Sequence, residues 1–330
     1  MAFNLDDFIV PLIPTSLPRV PALFNGITVT EPRQHAYARA RALEALGAWP
    51  NATDDWCQPT FAPEVGGRVL GRFLCEAPGE ECVDIVAQEI NCCVRVVDAE
   101  TQRCLASLAS FYVDIVLKTF IQYSDDTRQR EDDDDFVEKK VDPFDIAEKA
   151  ALIREDNRCI LTRYLDYDHR KRGADRGSDH RWTYTQACYI IPHMMTSGHL
   201  TAWSMVRAIL QPSGGLDTKQ VTGQRVNDLE NILTLDVTAY GHFTYLDLWL
   251  TPVKGRSDTY GVEGTSIDVL EDLLLRKNPV TFTSTDPQER PLPDPLLLSL
   301  HRACVHVLHL NPLVLSDDDA ECDFMDEDSG

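Results

Sequence analysis

No stretch of the sequence approaches the ~18 uninterrupted apolar residues that a membrane-spanning helix requires, so no membrane partner is expected. Basic charge is also scarce: 31 Lys and Arg stand against 53 Asp and Glu, a net charge of −22. Ten cysteines are present but none forms a C-x-x-C pair, and Cys92 and Cys93 are adjacent, which argues against a zinc ribbon. The phosphate-binding G-x-x-x-x-G-K-[ST], the dinucleotide G-x-G-x-x-G, the nucleophile elbow G-x-S-x-G and the zinc-binding H-E-x-x-H are all absent. Simple P-loop enzymes, Rossmann dehydrogenases, α/β-hydrolases and common zinc proteases thereby leave the front rank. The first residues lack the positive charge and unbroken apolar run of a secretory signal: Asp6 and Asp7 precede the first base, Arg19. The expectation is an intracellular protein, cytoplasmic or nuclear and not secreted, with reduced thiols.

Hydrophobic residues make up 43% of the 330 and charged ones 25%, ordinary globular proportions for a chain long enough for about two domains. The acidity is concentrated. Residues 124–138 hold eight acids and two arginines, and residues 316–330 hold eight acids and no base, so these thirty residues carry −14 and the other 300 carry −8. Blocks of this kind read as a solvated linker and tail that offer a protein partner an acidic surface. They make a binder driven by bulk electrostatics less favoured, because phosphate binding draws on clustered Lys and Arg.

Residues 1–123 read as a helical region. Thr30-Glu31-Pro32 has the form of a cap followed by proline in the first turn, residues 34–46 are rich in Ala, Leu and Arg, and Gly47 is placed to end that helix. Helical spacing recurs over 65–74, 82–96 and 101–122, with 105–117 apolar enough to be buried. An acidic linker over 124–142 follows, and a helix over 143–155. Short strands are expected at 158–162 and, more firmly, at 184–192, with a polar loop between them. Further expectations are a helix at 200–210, a Gly/Pro/Ser loop at 211–222, and a turn and helix within 227–250 carrying Phe243, Leu246 and Trp249. Strands follow at 260–262 and 280–283, then a helix from Pro295 to Leu310 capped by Asp294. The tail over 314–330 is expected to be disordered.

Histidines and carboxylates mix between 166 and 242: His169, His180, His193, His199 and His242 with Asp166, Asp168, Asp175 and Asp179. Such mixtures can hold a divalent ion that activates water, although polar loops carry them without any ligand as well. The loop 158–181 has seven basic residues against four acids, a local +3 centred on Arg170, Lys171 and Arg172. A phosphate-contacting loop and a solvated surface loop both fit that pattern.

Several segments then occur in a telling order: Arg158-Cys159-Ile160-Leu161-Thr162, Gln186-Ala187-Cys188-Tyr189-Ile190-Ile191-Pro192, Val226-Asn227-Asp228-Leu229-Glu230-Asn231-Ile232-Leu233-Thr234-Leu235, and Leu292-Pro293-Asp294-Pro295. Together they resemble the HNH nuclease-domain proteins abundant in mushroom-forming fungi, whose pieces run C-x-x-T-G, A-H-I-I-P, I-N-x-x-x-N-I-L-T-L and L-P-x-P. The resemblance spans about 155–310. It implies an α+β protein in which an N-terminal helical region precedes an HNH-like ββα-metal domain, at 143–313, embedded in further helices. It also implies a metal-dependent endonuclease that hydrolyses phosphodiester bonds with Mg²⁺ or a similar divalent metal. The first His of the motif would act as general base, the central Asn would orient that His or the loop, and the last His would hold the metal.

Carried over residue by residue, the central Asn falls on Asn231. The first His falls on Tyr189, the last on Tyr240, and the Gly of the first piece on Arg163. A phenol with a pKa near ~10 is ionised about one part in a thousand at pH 7, so tyrosine is a poor general base and a poor ligand for a hard ion. His193, His242 and Asp166 are the neighbours that could hold a metal instead, although His242 lies about 200° around a helix from Tyr240. Three readings follow. One is a nuclease-like pseudoenzyme with weak or lost catalysis that acts by binding nucleic acid, through Arg170, Lys171 and Arg172, or a protein partner. A second is an active metal-dependent endonuclease with an altered site that uses Asn231, His193 or His242 and carboxylates such as Asp166. The third is a helical interaction or scaffold protein that recruits a partner through its acidic linker and tail.

Overall fold

The computed structural model describes residues 15–19, 27–51, 57–117, 120, 143–171, 181–192 and 227–310. The expected acidic linker and tail and the expected elements at 200–210 and 211–222 lie outside the described residues. Four helices come first: α1 (Glu31–Glu44), α2 (Pro63–Glu76), α3 (Glu80–Cys92) and α4 (Asp98–Phe111), the last continuing into a π-helical turn, Tyr112–Leu117. Both α1 and α2 have proline in the first turn, where its missing N–H leaves no bond unmade. The apolar face of α2, with Val65, Val69, Leu70, Phe73 and Leu74, is buried. At Gly67 this helix runs so close to α1 that a Cβ would lie 2.3 Å from the Glu44 nitrogen, so the crossing itself requires glycine. Arg33 joins α1 to α3, its Nε donating to Asp84 at 2.7 Å and its Nη2 to the Glu80 carbonyl at 3.2 Å.

The remaining elements are α5 (Pro143–Arg154), β1 (Leu165–Asp166), α6 (Tyr167–Lys171), β2 (Trp182–Thr183), β3 (Thr185–Tyr189), a 3₁₀ turn (Leu229–Asn231), β4 (Ile232–Asp236), α7 (Val237–Thr244), β5 (Leu248–Pro252), β6 (Thr259–Gly264), α8 (Ile267–Asp272), β7 (Val280–Thr281) and α9 (Pro295–His309). They build three small sheets: β1 parallel to β2, β3 antiparallel to β4, and an antiparallel β5-β6-β7 meander. The protein is therefore of the α+β class. None of the described helices is long and apolar enough to cross a membrane.

Three sequence expectations need correction. The stretch expected as a polar loop before 184 carries β1, α6 and β2. Residues 158–162 are not a strand. They form a tight turn in which the Cys159 N–H donates to the Tyr164 carbonyl and the Arg163 N–H donates back to Cys159, each at 3.0 Å. Arg163 closes that turn at φ +60°, a left-handed conformation that costs a non-glycine residue about 1–2 kcal/mol. Nor is there one helix carrying Phe243, Leu246 and Trp249. The Asp236 carboxylate accepts the N–H groups of Thr238 and Ala239 and starts α7, Leu246 at φ +62° lies beyond its end, and Trp249 belongs to β5. All five residues of β4 are buried. With both faces covered it shows no alternation that would distinguish it from helix.

One apolar cluster runs from the N-terminal helices through α7, β5, β6 and α9. Within it Leu297, Leu300, Cys304 and Val307 form the buried face expected of α9, and the Asp294 carboxylate accepts the Leu296 N–H at 2.7 Å. Glu76 at the end of α2 meets His306 at 3.1 Å and Arg302 at 3.6 Å on α9. A second, smaller cluster holds Ala147, Ala151, Ala187, Tyr189 and Ile232, with Phe144 and Leu229 against it.

Candidate functional site

The strand–strand–helix unit β3-β4-α7 holds Tyr189, Asn231 and Tyr240. Along the β3-β4 ladder Thr185 faces Asp236 and Tyr189 faces Ile232. Just past this ladder, Asn231 replaces peptide pairing with side-chain pairing. Its backbone carbonyl accepts the Ile190 N–H at 2.9 Å, its Oδ1 accepts the Ile191 N–H at 2.8 Å, and its Nδ2 donates to the Ile191 carbonyl at 3.0 Å. The buried amide thus holds the segment that follows Tyr189. Asn231→Ala would leave both polar groups of Ile191 without these bonds. A buried group left unsatisfied costs about 1–3 kcal/mol, so the variant is expected to lose about 2–4 kcal/mol in urea unfolding. Unchanged stability would contradict that placement.

Tyr189 turns into the smaller cluster. Its ring packs on Phe144 with centroids 5.4 Å apart, and its hydroxyl donates to Asn227 Oδ1. Tyr240 is buried in the larger cluster. The two rings therefore belong to separate apolar clusters. Thr162 donates its hydroxyl to Asp236 Oδ2 at 3.0 Å, which ties the 158–164 turn to the start of α7.

The other expected site residues fall as follows. Asp166 is buried with both oxygens engaged, Oδ1 accepting the His169 N–H at 2.9 Å and Oδ2 the Thr185 hydroxyl at 2.8 Å. His242 turns toward α8, its Nε2 lying 3.5 Å from Asp272 Oδ2. Arg170 lies over the Trp182 ring at 5.4 Å, and Lys171 is exposed. Arg172 and His193 lie outside the described residues. The structure thus brings Asn231 and Tyr189 to one end of the β3-β4 ladder and links Asp166 to the start of β3, while Tyr240 and His242 point into other surroundings.

The described side chains expected to hold a divalent ion are engaged elsewhere. Asp166 is committed to a backbone N–H and a hydroxyl, His242 to an aspartate, and Tyr189 to an asparagine. Among the described residues no group of three or more His, Cys, Asp or Glu could hold a metal ion. The described residues do not fit the ion that the resemblance implies.

Two further groups beside the unit were not legible in the sequence. Arg154, at the end of α5, is fully buried beside Glu155, which accepts its Nε–H at 2.7 Å. Glu148 on the same helix accepts the Ala187 N–H at 3.4 Å, and burial pushes its carboxyl pKa upward. Both sit in a stretch whose pattern signals only a helix. Compared with family models, curated proteins and solved structures, the chain matches none.

Proposed function

We propose that this chain is an HNH-like, nuclease-related protein whose hydrolytic centre has given way to packing, so that phosphodiester hydrolysis is weak or lost. The observation that carries the reading is Asn231, the residue aligned with the central Asn of the motif, whose side chain holds the segment following the first-His position in a strand–strand–helix unit. Hydrolysis at neutral pH calls for a base that is free at that pH. Tyr189 instead donates its hydroxyl proton to Asn227 and packs on Phe144, a use of the position that suits a scaffold.

Plasmid nicking by the purified chain with Mg²⁺ or Mn²⁺, and with EDTA, tests this reading beside Asn231→Ala and a Tyr189→His/Tyr240→His double variant. The expected result is a silent or very weak parent; metal-dependent nicking by the double variant would show that the two positions converge on one ion, against their placement in separate apolar clusters. Vigorous, EDTA-sensitive nicking by the parent, lost in Asn231→Ala, would overturn the loss of catalysis. If neither cuts, the loss of catalysis stands, and the interaction reading, in which the acidic stretches at 124–138 and 316–330 recruit a partner, is the one left to account for what the chain does.

A further inference from the structure

Alternation along a short extended segment places Trp182 and Tyr184 on one face, with Thr183 turned the other way. Both rings are exposed, Trp182 by 45% and Tyr184 by 56%. Helix α6 returns over this face and sets the Tyr167 ring between them, its centroid 5.0 Å from Trp182 and 4.8 Å from Tyr184. One turn further along α6, Arg170 puts its guanidinium 5.4 Å from the Trp182 centroid. Lys171 and Arg181 are exposed beside them, and Arg181 and Arg276 flank the neighbouring Tyr164 ring at 5.8 and 5.4 Å. Asp168 is the exposed carboxylate of α6.

We infer that Trp182 and Tyr184, braced by Tyr167 and joined by Arg170 and Lys171, form a stacking platform for the unpaired bases of a single-stranded nucleic acid. The inference rests on the nucleic-acid side of the reading above and is independent of catalysis. Exposed rings interleaved with guanidinium and ammonium groups offer the two things a single strand needs: π faces for its bases and cations for its phosphates. In a duplex the base faces are covered by their neighbours, so a duplex would engage only the cations. The local excess of positive charge, in a chain of net charge −22, matches a polyanion. It also concentrates the strand at this face, because the acidic remainder repels phosphate.

The test is fluorescence anisotropy of an end-labelled ~12-nucleotide oligothymidylate titrated with the full chain in EDTA at low salt. Saturable binding is expected, weakened about tenfold or more by Trp182→Ala/Tyr184→Ala together and nearly restored by Trp182→Phe/Tyr184→Phe, since stacking contributes about 1–3 kcal/mol per base. Lys171→Gln should instead lower the slope of log affinity against log salt by about 0.7 while leaving the stacking loss intact. The inference is overturned if the parent shows no saturable binding or if the double alanine variant binds as tightly as the parent. It is equally overturned if a duplex of the same length binds equally well, or if polyglutamate displaces the strand as effectively as unlabelled strand does, which would indicate an acidic protein partner. Because the titration contains no metal, silent nicking gels leave it standing. A nicking parent whose alanine variant binds unchanged loses only the platform.

Discussion

Replacing Arg154 with methionine is expected to cost the fold about 3–5 kcal/mol, read as a lowered urea midpoint without loss of cooperativity. The side chain is fully buried and spends its planar fork on four acceptors: Glu155 Oε1 at 2.7 Å and the carbonyls of Leu229 at 2.6 Å, Pro291 at 2.9 Å and Ile232 at 2.6 Å. Those carbonyls belong to the turn that carries Asn231, to the first residue of β4 and to the segment leading into α9. Two stretches far apart in sequence, 229–232 and the segment leading into α9, are thus fastened to the end of α5 by one group. Arg154→Lys should fare only slightly better, because a point ammonium cannot reproduce the fork.

Losing the cation also strands Glu155, whose remaining side-chain bond accepts the Thr234 hydroxyl at 2.9 Å. Burial already pushes the Glu155 pKa up, against the pull of Arg154 and Thr234. Without Arg154 it rises further, and the carboxyl can escape the penalty by taking a proton. The deficit of Arg154→Met should therefore be larger at pH 8 than at pH 5, and Arg154→Met/Glu155→Gln should be less destabilised than the single variant. A loss below about 1 kcal/mol would contradict the buried hub.

The second large effect is a loss of stability in mild acid that originates at His301. Its ring lies flat on Phe243 with centroids 3.7 Å apart, its Nε2–H donates to the Phe243 carbonyl at 3.0 Å, and its buried Nδ1 has no hydrogen-bond partner among the described residues. Burial pushes its pKa down to about 3, from an ordinary value of ~6.5 when unfolded. Between those two values the unfolded chain binds a proton that the folded chain refuses, so stability falls as pH falls. From pH 7 to 4.5 this group alone should remove about 2–3 kcal/mol.

Several carboxyls contribute to the same profile. Glu89, Glu148 and Glu155, raised chiefly by burial, favour the folded state as pH falls and partly offset the loss. Glu76 acts lower down: burial opposes its charge, but His306, Arg302 and Arg72 outweigh this and hold its pKa below the usual range. Its stabilising contribution is present above the ordinary carboxyl pKa of ~4.3 and is lost as pH falls through its depressed value. The difference between the parent and His301→Gln, followed from pH 7 to 4.5, therefore isolates His301. The variant keeps a donor for the Phe243 carbonyl and has nothing to titrate, so its profile should be flatter by that amount. Parallel profiles would show that the ring is not held neutral.

Local chemistry decided much of this molecule in advance. Proline in the first turns and regular apolar spacing define α1, α2 and α9, Asp294 caps α9 in the way its position before Pro295 implies, β3 and β7 lie within the stretches that read as strands, and β6 extends past 260–262 at both ends. The α+β class is what the resemblance implied, and Asn231 is the residue that falls on its central Asn. Tertiary structure alone decided which neighbours each of these residues meets. Tyr189 and Tyr240 enter different clusters, His242 meets Asp272 on α8, and Arg154 disappears among carbonyls up to 137 residues away. Tyr167 finds Trp182 and Tyr184 only because α6 folds back over them. Periodicity reports that a face will be buried, and capping reports where a helix starts, because both are settled within a few residues. The partner across that face is chosen by packing between segments far apart in the chain, and no local pattern records it.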